Sequence, residues 1–267
     1  MKTLTPMHLA DSYLLNPTNP IVVNLIGAGG TGSQMLTALA RMNHSLIALG
    51  HAGLYLNLYD DDTVTTANQG RQLFADCEVG LHKSVALINR INRFFGTDWK
   101  AVTKPFGTAN LNTLPDKGKA NIYISCVDTV AARYDIAAAL DSLEDYGSED
   151  RSKPLYWMDM GNSKNTGQMI LSTIGFIKQP NSKLYRTVPN LPTVTEELGE
   201  QLENVNDNNE PSCSLAEALE KQDLFINSTL ANMAASLLWK LFREGMTDTR
   251  GFFLNLANFK SQPIKVG

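Results

Sequence analysis

Cysteine is scarce in this chain. Its three copies, Cys77, Cys126 and Cys213, are too few and too scattered for a disulfide framework, and none falls in a C-x-x-C pair, so reduced thiols and no zinc site are expected. Long apolar runs are missing as well. The strand-like stretch IVVNLI at 21–26 falls far short of the roughly 18 residues that cross a bilayer, and no membrane span is expected. Early positive charge is also absent: Lys2 is the only lysine or arginine before Arg41. The basic region of a secretory leader is therefore lacking, and the cytoplasm is the expected compartment. A net charge of −4 carries no basic footprint, so no nucleic-acid partner is expected. Finally, no Lys or Arg occurs from Thr187 to Glu220, where Glu196, Glu197, Glu200, Glu203, Asp207 and Glu210 accumulate.

The remaining composition is that of a folded protein: 267 residues, 43% hydrophobic and 19% charged, enough for one sizeable core. Residues 1–19 read as a polar, Pro-punctuated lead-in. Ile21 to Ile26 is a β-branched run bounded by Pro20 and Gly27, the mark of a buried strand. From Ser33 to Leu49, Met35, Leu36, Leu39 and Met42 recur at spacings of three and four, which predicts a helix with one buried face. Leu54 to Tyr59 is the next strand, and Val79 to Phe95 the next helix, with Val85, Ile88, Ile91 and Phe95 on one stripe. Asn121 to Val127 and Ala131 to Leu143 repeat the unit. Alternating strands and helices predict a doubly wound, mainly parallel α/β sheet with flanking helices, because parallel neighbours need crossover connections. Leu155 to Met160 and Gln168 to Ile174 are two further strands around a turn, and the C-terminal part is expected to add antiparallel strands. The acidic stretch, taken as 181–214, reads as a mobile crossover loop within a single domain, and Leu215 to Phe242 as the helix that follows.

The chemistry begins at Gly27-Ala28-Gly29-Gly30-Thr31-Gly32, a G-x-G-x-x-G placed directly after a predicted strand and at the start of a predicted helix. Glycine lets the backbone turn tightly and approach a phosphate, and the helix N-terminus supplies N–H donors and partial positive charge. Asp60 ends the second strand, where a carboxylate reaches the ribose hydroxyls of an adenine nucleotide. It lies 28 residues beyond Gly32, against about 20 in a simple dinucleotide fingerprint. The cations just beyond it, Arg71 and Lys83, have no obvious use in a dehydrogenase, whereas a triphosphate needs positive charge to steady its leaving pyrophosphate. Asp128 closes a buried strand at the carboxyl edge of the sheet, a position for binding magnesium beside phosphates or for capping the next helix.

In order, GAGGTG at 27–32, the D-x-D of Asp60 and Asp62, the N-x-x-R-Q of Asn68, Arg71 and Gln72, Lys83, and the V-D-x-x-x-x-R of Asp128 and Arg133 resemble the ThiF/MoeB/HesA family, which includes the ubiquitin-activating enzymes. More narrowly, the chain resembles the ThiF-related proteins of bacterial PRTRC cassettes. The resemblance implies that ATP and Mg2+ are the cofactors and that Asp60 holds the ribose. It gives the phosphates to Asn68, Arg71 and Lys83, with Asp62 and Gln72 beside them, and puts Asp128 at a magnesium-assisted adenylation step. It also implies a homodimer and a small ubiquitin-like or sulfur-carrier-like protein whose C-terminal carboxylate is activated. Cys213, in Pro-Ser-Cys-Ser at the predicted start of the long helix, would have its pKa lowered by the helix dipole and is the candidate acceptor of a thioester or persulfide-type transfer. Two features depart from the family: it has an N-terminal Arg that reaches the other subunit, where this chain has none, and many members carry two C-x-x-C pairs. The sequence leaves open a nicotinamide-dependent oxidoreductase, which the glycine motif alone would support, and a non-catalytic nucleotide-binding scaffold. It also leaves open adenylation of a different carboxylate, on a small molecule or a modified nucleic acid.

Overall fold

A computed structural model describes residues 4–69, 71–143, 151–203 and 222–267. The chain runs β1 (Thr5–Leu9), α1 (Ser12–Leu15), β2 (Ile21–Ile26), α2 (Gly30–Ala48), β3 (Leu54–Tyr59), α3 (Lys83–Phe95) and β4 (Lys100–Val102). It continues through β5 (Ile122–Ser125), α4 (Val130–Asp141), β6 (Tyr156–Asn162), β7 (Thr166–Thr173), β8 (Tyr185–Thr187) and α5 (Val194–Glu203). The last elements are α6 (Ile226–Glu244), β9 (Met246–Thr247), β10 (Thr249–Asn255) and β11 (Lys260–Lys265).

An eight-stranded sheet has the order β11-β10-β7-β6-β5-β2-β3-β4. Strands β6, β5, β2, β3 and β4 run parallel, and β7, β10 and β11 extend the sheet antiparallel. The apolar runs read as strands are continuous because both faces of the parallel part are covered. Val23, Leu25, Leu56, Leu58, Ile122 and Ile124 point into one core with α2, α3 and α6. Ile26, Tyr59, Tyr123 and Trp157 point into the other, against Ile136, Ala139 and Leu140 of α4 and Leu198 and Leu202 of α5. The chain leaves β2 for β3 and β4, then returns to β5 on the opposite side of β2. The carboxyl ends of β2 and β5 therefore flank a topological switch point, where open α/β sheets leave a crevice.

Several sequence expectations are corrected here. Residues 1–19 are not merely a lead-in: β1 pairs with β8 and β9 in a second, three-stranded sheet. Its His8 is buried, with Nδ1 2.7 Å from the Val188 carbonyl and Nε2 2.9 Å from the Tyr156 hydroxyl. The first contact lies within the small sheet, at the end of β8, and the second fastens that sheet to β6 of the large one. The helix expected from Val79 begins only at Lys83, because Gly80 sits at φ 88°, outside helical space. The stretch 181–214 is not a loop throughout. It holds β8 and the amphipathic helix α5, whose Val194, Leu198 and Leu202 pack against the core, because three apolar residues spaced four apart outweigh the acidic composition. Of the helix expected at Leu215 to Phe242, the part from Ile226 onward is α6; the expectations at 204–221 lie outside the described residues.

Candidate functional site

A cavity of about 560 Å³ opens at the switch point. Its floor is the glycine turn, its walls are the ends of β3, β5 and β6, and Gln222 and Asn227 close one side. The Gly27 backbone turns at φ 94°, and a Cβ there would lie 2.8 Å from the Cys126 carbonyl oxygen. A Cβ on Gly32 would lie 1.9 Å from the Gly27 carbonyl oxygen, and one on Gly30 would lie 2.6 Å from the Asn227 side chain. Gly29 differs, since a Cβ there would meet nothing within 4 Å. Gly27, Gly29 and Gly30 line the cavity, whereas Gly32 packs α2 against the turn beneath it. Gly29 caps α2 with no side-chain hydrogen bond, so the first-turn amides of α2 are open to an anionic ligand.

Asp60 is built into this turn. Its Oδ2 accepts the Ala28 N–H at 2.6 Å and its Oδ1 accepts the Asp62 N–H at 3.1 Å. Burial raises its pKa above the ordinary carboxylate value, opposed by the Ala28 hydrogen bond and by the charge of Lys83. A carboxylate has about four acceptor positions, so these two bonds leave room for ribose hydroxyls. Lys83 is 7% exposed at the first position of α3, where a cation opposes the helix dipole. Its ion pair with Asp62, at 2.7 Å, offsets this. Asp62 and Lys83 both line the cavity.

Arg71 and Gln72 also line the cavity. Burial lowers the Arg71 pKa, and the charge of Asp128 acts the other way. Arg71 Nε and Gln72 Oε1 are buried and have no hydrogen-bond partner among the described residues, as expected of groups that face a ligand. Asn68 is brought elsewhere: its Oδ1 accepts the Thr65 N–H at 2.8 Å, closing a capping box on the turn at Thr66–Asn68, and it does not line the cavity. The cap expected at Asp128 belongs to Thr129, whose Oγ1 accepts from the Ala132 N–H at 3.2 Å. Asp128 therefore stays exposed on the cavity wall.

Beneath Asp128 lies a buried polar network. The Trp157 indole N–H donates to Ser125 Oγ at 2.8 Å, and Ser125 donates to Asp159 Oδ1 at 2.5 Å. Asp159 Oδ2 in turn accepts from Arg133 Nε at 3.1 Å, and Arg133 donates to the Val127 and Thr129 carbonyls at 2.7 and 3.2 Å. The motif arginine thus clamps both neighbours of Asp128 and does not line the site as a free charge. Cys126 lies on the cavity wall, but burial raises its pKa, so it is a thiol and not a thiolate. Cys77 is exposed on the turn at Asp76–Glu78 and away from the cavity, and Cys213 lies outside the described residues.

Three further polar groups, Asn162, Gln222 and Asn227, line the cavity and had no signal in the linear sequence. Thr31 Oγ1 lies 2.9 Å from Asn227 Oδ1, 196 residues away, and 3.3 Å from Asn162 Oδ1. Asn227 Nδ2 donates to Gln222 Oε1 at 3.0 Å, and Arg71 Nη1 donates to the same oxygen at 2.7 Å. At the other end the lining is apolar, with Ile26, Tyr59, Phe106, Val127 and Ile136. The cavity thus has an apolar end able to take a base, a carboxylate for a sugar, and an amide-lined, cationic end for phosphates.

The chain belongs to the ThiF family, which it matches over residues 19–266. It is 34% identical over 113 residues to the adenylyltransferase and sulfurtransferase UBA4 of Debaryomyces hansenii, covering 42% of this chain and 23% of that protein. It is 27% identical over 191 residues to ubiquitin-like modifier-activating enzyme 5 of Drosophila ananassae, covering 67% of this chain and 42% of that protein. The chain therefore spans less than half the length of these curated relatives. Among solved structures, E. coli MccB with MccA has a TM-score of 0.60 at 14% identity, covering 95% of this chain and 65% of that one. MccB with ATP has a TM-score of 0.56 at 14% identity, covering 92% and 63%. These likenesses establish the fold. No helix among the described residues is long and apolar enough to cross a membrane.

Proposed function

We propose that this ThiF-family chain is an ATP-dependent adenylyltransferase that activates the C-terminal carboxylate of a small ubiquitin-like or sulfur-carrier-like protein. One observation carries the reading: Gly29, Asp60, Arg71, Lys83 and Asp128, scattered through the sequence, line one cavity at the switch point of the sheet. In this reading the base occupies the apolar end near Phe106, Asp60 holds the ribose, and the triphosphate lies over the first turn of α2 toward Arg71 and Lys83. A partner carboxylate oxygen attacks the α-phosphorus, the bond from that phosphorus to the bridging oxygen breaks, and pyrophosphate leaves with the electron pair. The products are an acyl adenylate and pyrophosphate.

Little covalent work falls to the protein. Positioning and charge stabilisation supply most of the acceleration in such chemistry. Among the described residues no three His, Cys, Asp or Glu side chains gather around one metal position. Magnesium suits this site, since it retains waters and needs only one or two carboxylates beside nucleotide phosphates; Asp128 is the residue to hold it. The ion would neutralise phosphate charge. Cys213 is proposed as the acceptor in a following step, in which its thiolate attacks the acyl carbon and AMP departs. A homodimer, a cytoplasmic setting and a place in a PRTRC cassette belong to the same reading.

ATP–pyrophosphate exchange, measured with magnesium and with each small protein encoded beside this one, tests it. Exchange that requires a partner and falls at least about 100-fold in Asp128→Ala and in Arg71→Ala, with folding intact, is the expected result. Wild-type rates in both variants would overturn the site, and ATP binding with no exchange for any candidate would favour a nucleotide-dependent scaffold.

A further inference from the structure

Arg71 is held by a chain of amides whose direction can be worked out. A guanidinium only donates, so the Gln222 atom 2.7 Å from Arg71 Nη1 is the carbonyl oxygen Oε1. That oxygen is also 3.0 Å from the Asn227 amide, which must therefore offer its nitrogen. Asn227 then turns Oδ1 toward Thr31, whose hydroxyl donates to it at 2.9 Å, the shorter of its two contacts. Thr31 belongs to the first turn of α2, so the chain runs from the glycine motif to the cation.

The anchoring end is rigid. Thr31 and Asn227 are 6% and 3% exposed, and Gly30 has no room for a Cβ because Asn227 occupies that space. The far end is fixed through the backbone, where the Asp223 N–H donates to the Lys164 carbonyl at 2.9 Å. An arginine drawn partly into a site, as Arg71 is, is more commonly met by a carboxylate, which orients it and also cancels its charge. Here the hydrogen-bond partner is an uncharged amide, which orients the guanidinium without a direct ion pair and leaves its charge, felt also by Asp128, to face a ligand. The Arg71 Nε has no partner among the described residues.

We propose that Gln222 and Asn227 are positioning residues that aim Arg71 at the phosphates of a nucleotide seated on the glycine turn. The reading of the ligand as ATP is taken from the proposed function; the aiming is new. Gln222 and Asn227 act through Arg71, so their removal has no further effect once Arg71 is gone.

Mg-ATP binding by calorimetry in Gln222→Ala, Arg71→Ala and the double variant tests this as a cycle. Gln222→Ala is expected to weaken binding about tenfold, Arg71→Ala more, and the double variant no further than Arg71→Ala. Gln222→Glu separates aiming from packing: it keeps the acceptor but neutralises the guanidinium, so it is expected to bind ATP more weakly than Gln222→Ala. Unchanged binding in Gln222→Ala, losses that multiply in the double variant, or Gln222→Glu binding as well as wild type would overturn the proposal. Gln222 is half-buried, so its variants fold where those of Asn227 risk failing. A protein that binds ATP but performs no exchange would sink the adenylation reading while the binding cycle still decides the clamp. A wild type that binds no ATP overturns both.

Discussion

The Ala28 N–H donates to Oδ2 of Asp60 across 2.6 Å, so the acid that ends β3 and the glycine turn that ends β2 form one unit. The Gly27 N–H donates to the Tyr59 carbonyl at 2.8 Å, which adds a second tie between the same two strand ends.

The glycines of this turn are therefore expected to respond differently to the same substitution. Gly29→Ala adds a methyl to free volume, so thermal stability is expected to stay at the wild-type value while ATP affinity drops at least tenfold by about 1.4 kcal/mol or more. Gly32→Ala sets a methyl 1.9 Å from the Gly27 carbonyl oxygen, which is backbone and cannot rotate away. A loss of about 3 kcal/mol or more is expected, read by denaturant unfolding. Equal effects of the two substitutions on stability would contradict this division of roles.

His8 makes the fold sensitive to acid. It is buried neutral, with Nδ1–H donating to the Val188 carbonyl and Nε2 accepting from Tyr156, and burial lowers its pKa below 6.5. The unfolded chain takes up the proton first. This contribution is thus complete above pH 6.5 and is lost as pH falls from there toward the folded-state pKa, with a slope of at most about 1.4 kcal/mol per pH unit. Melting temperatures of wild type and His8→Gln are expected to converge in pH dependence above that value and to part below it, with the variant flatter. Parallel curves would rule His8 out as the source.

The Arg133–Asp159 pair is buried on both sides, with side chains 6% and 1% exposed. Removing one partner orphans a charge, so Asp159→Ala is expected to cost about 3–5 kcal/mol. The double variant Arg133→Met with Asp159→Leu is expected to recover most of that loss in stability. Because Arg133 also holds the Val127 and Thr129 carbonyls on either side of Asp128, exchange activity is not expected to return with it. Recovery of both stability and activity would show that the clamp on the Asp128 loop is dispensable.

Much of this was legible in the sequence for a plain reason. Strands buried on both faces read as unbroken apolar runs, and β2, β3 and β5 fall within a residue or two of the expected bounds. Gly27, Gly29 and Gly30 of the glycine motif, with Asp60, Arg71, Gln72, Lys83 and Asp128, stand out by local pattern or resemblance, and all of them line the cavity. The misreadings share a cause. Asn68 shares a motif with Arg71 and Gln72, yet its side chain closes a local capping box. Asp128 has the chemistry of a helix cap, but the adjacent Thr129 takes that position. The short β1 and the helix α5 looked like lead-in and loop because their partners, β8, β9 and the core around α4, are far away in the chain.

The sequence by itself determined the layered α/β architecture, the place of the phosphate-binding turn and the sign of the charges around it. These depend on short-range periodicity and on residue chemistry, which a linear pattern records. Only the tertiary structure decided which of those residues meet. It brought Asn227 to Thr31 across 196 positions and set Gln222 against Arg71. It also assigned Gly29 to the open cavity and Gly32 to packing, with Gly30 lining the cavity while pressed against Asn227. Such pairings depend on how α6 crosses α2 and how β6 adjoins β5, and no local spacing encodes the distance between side chains on different elements.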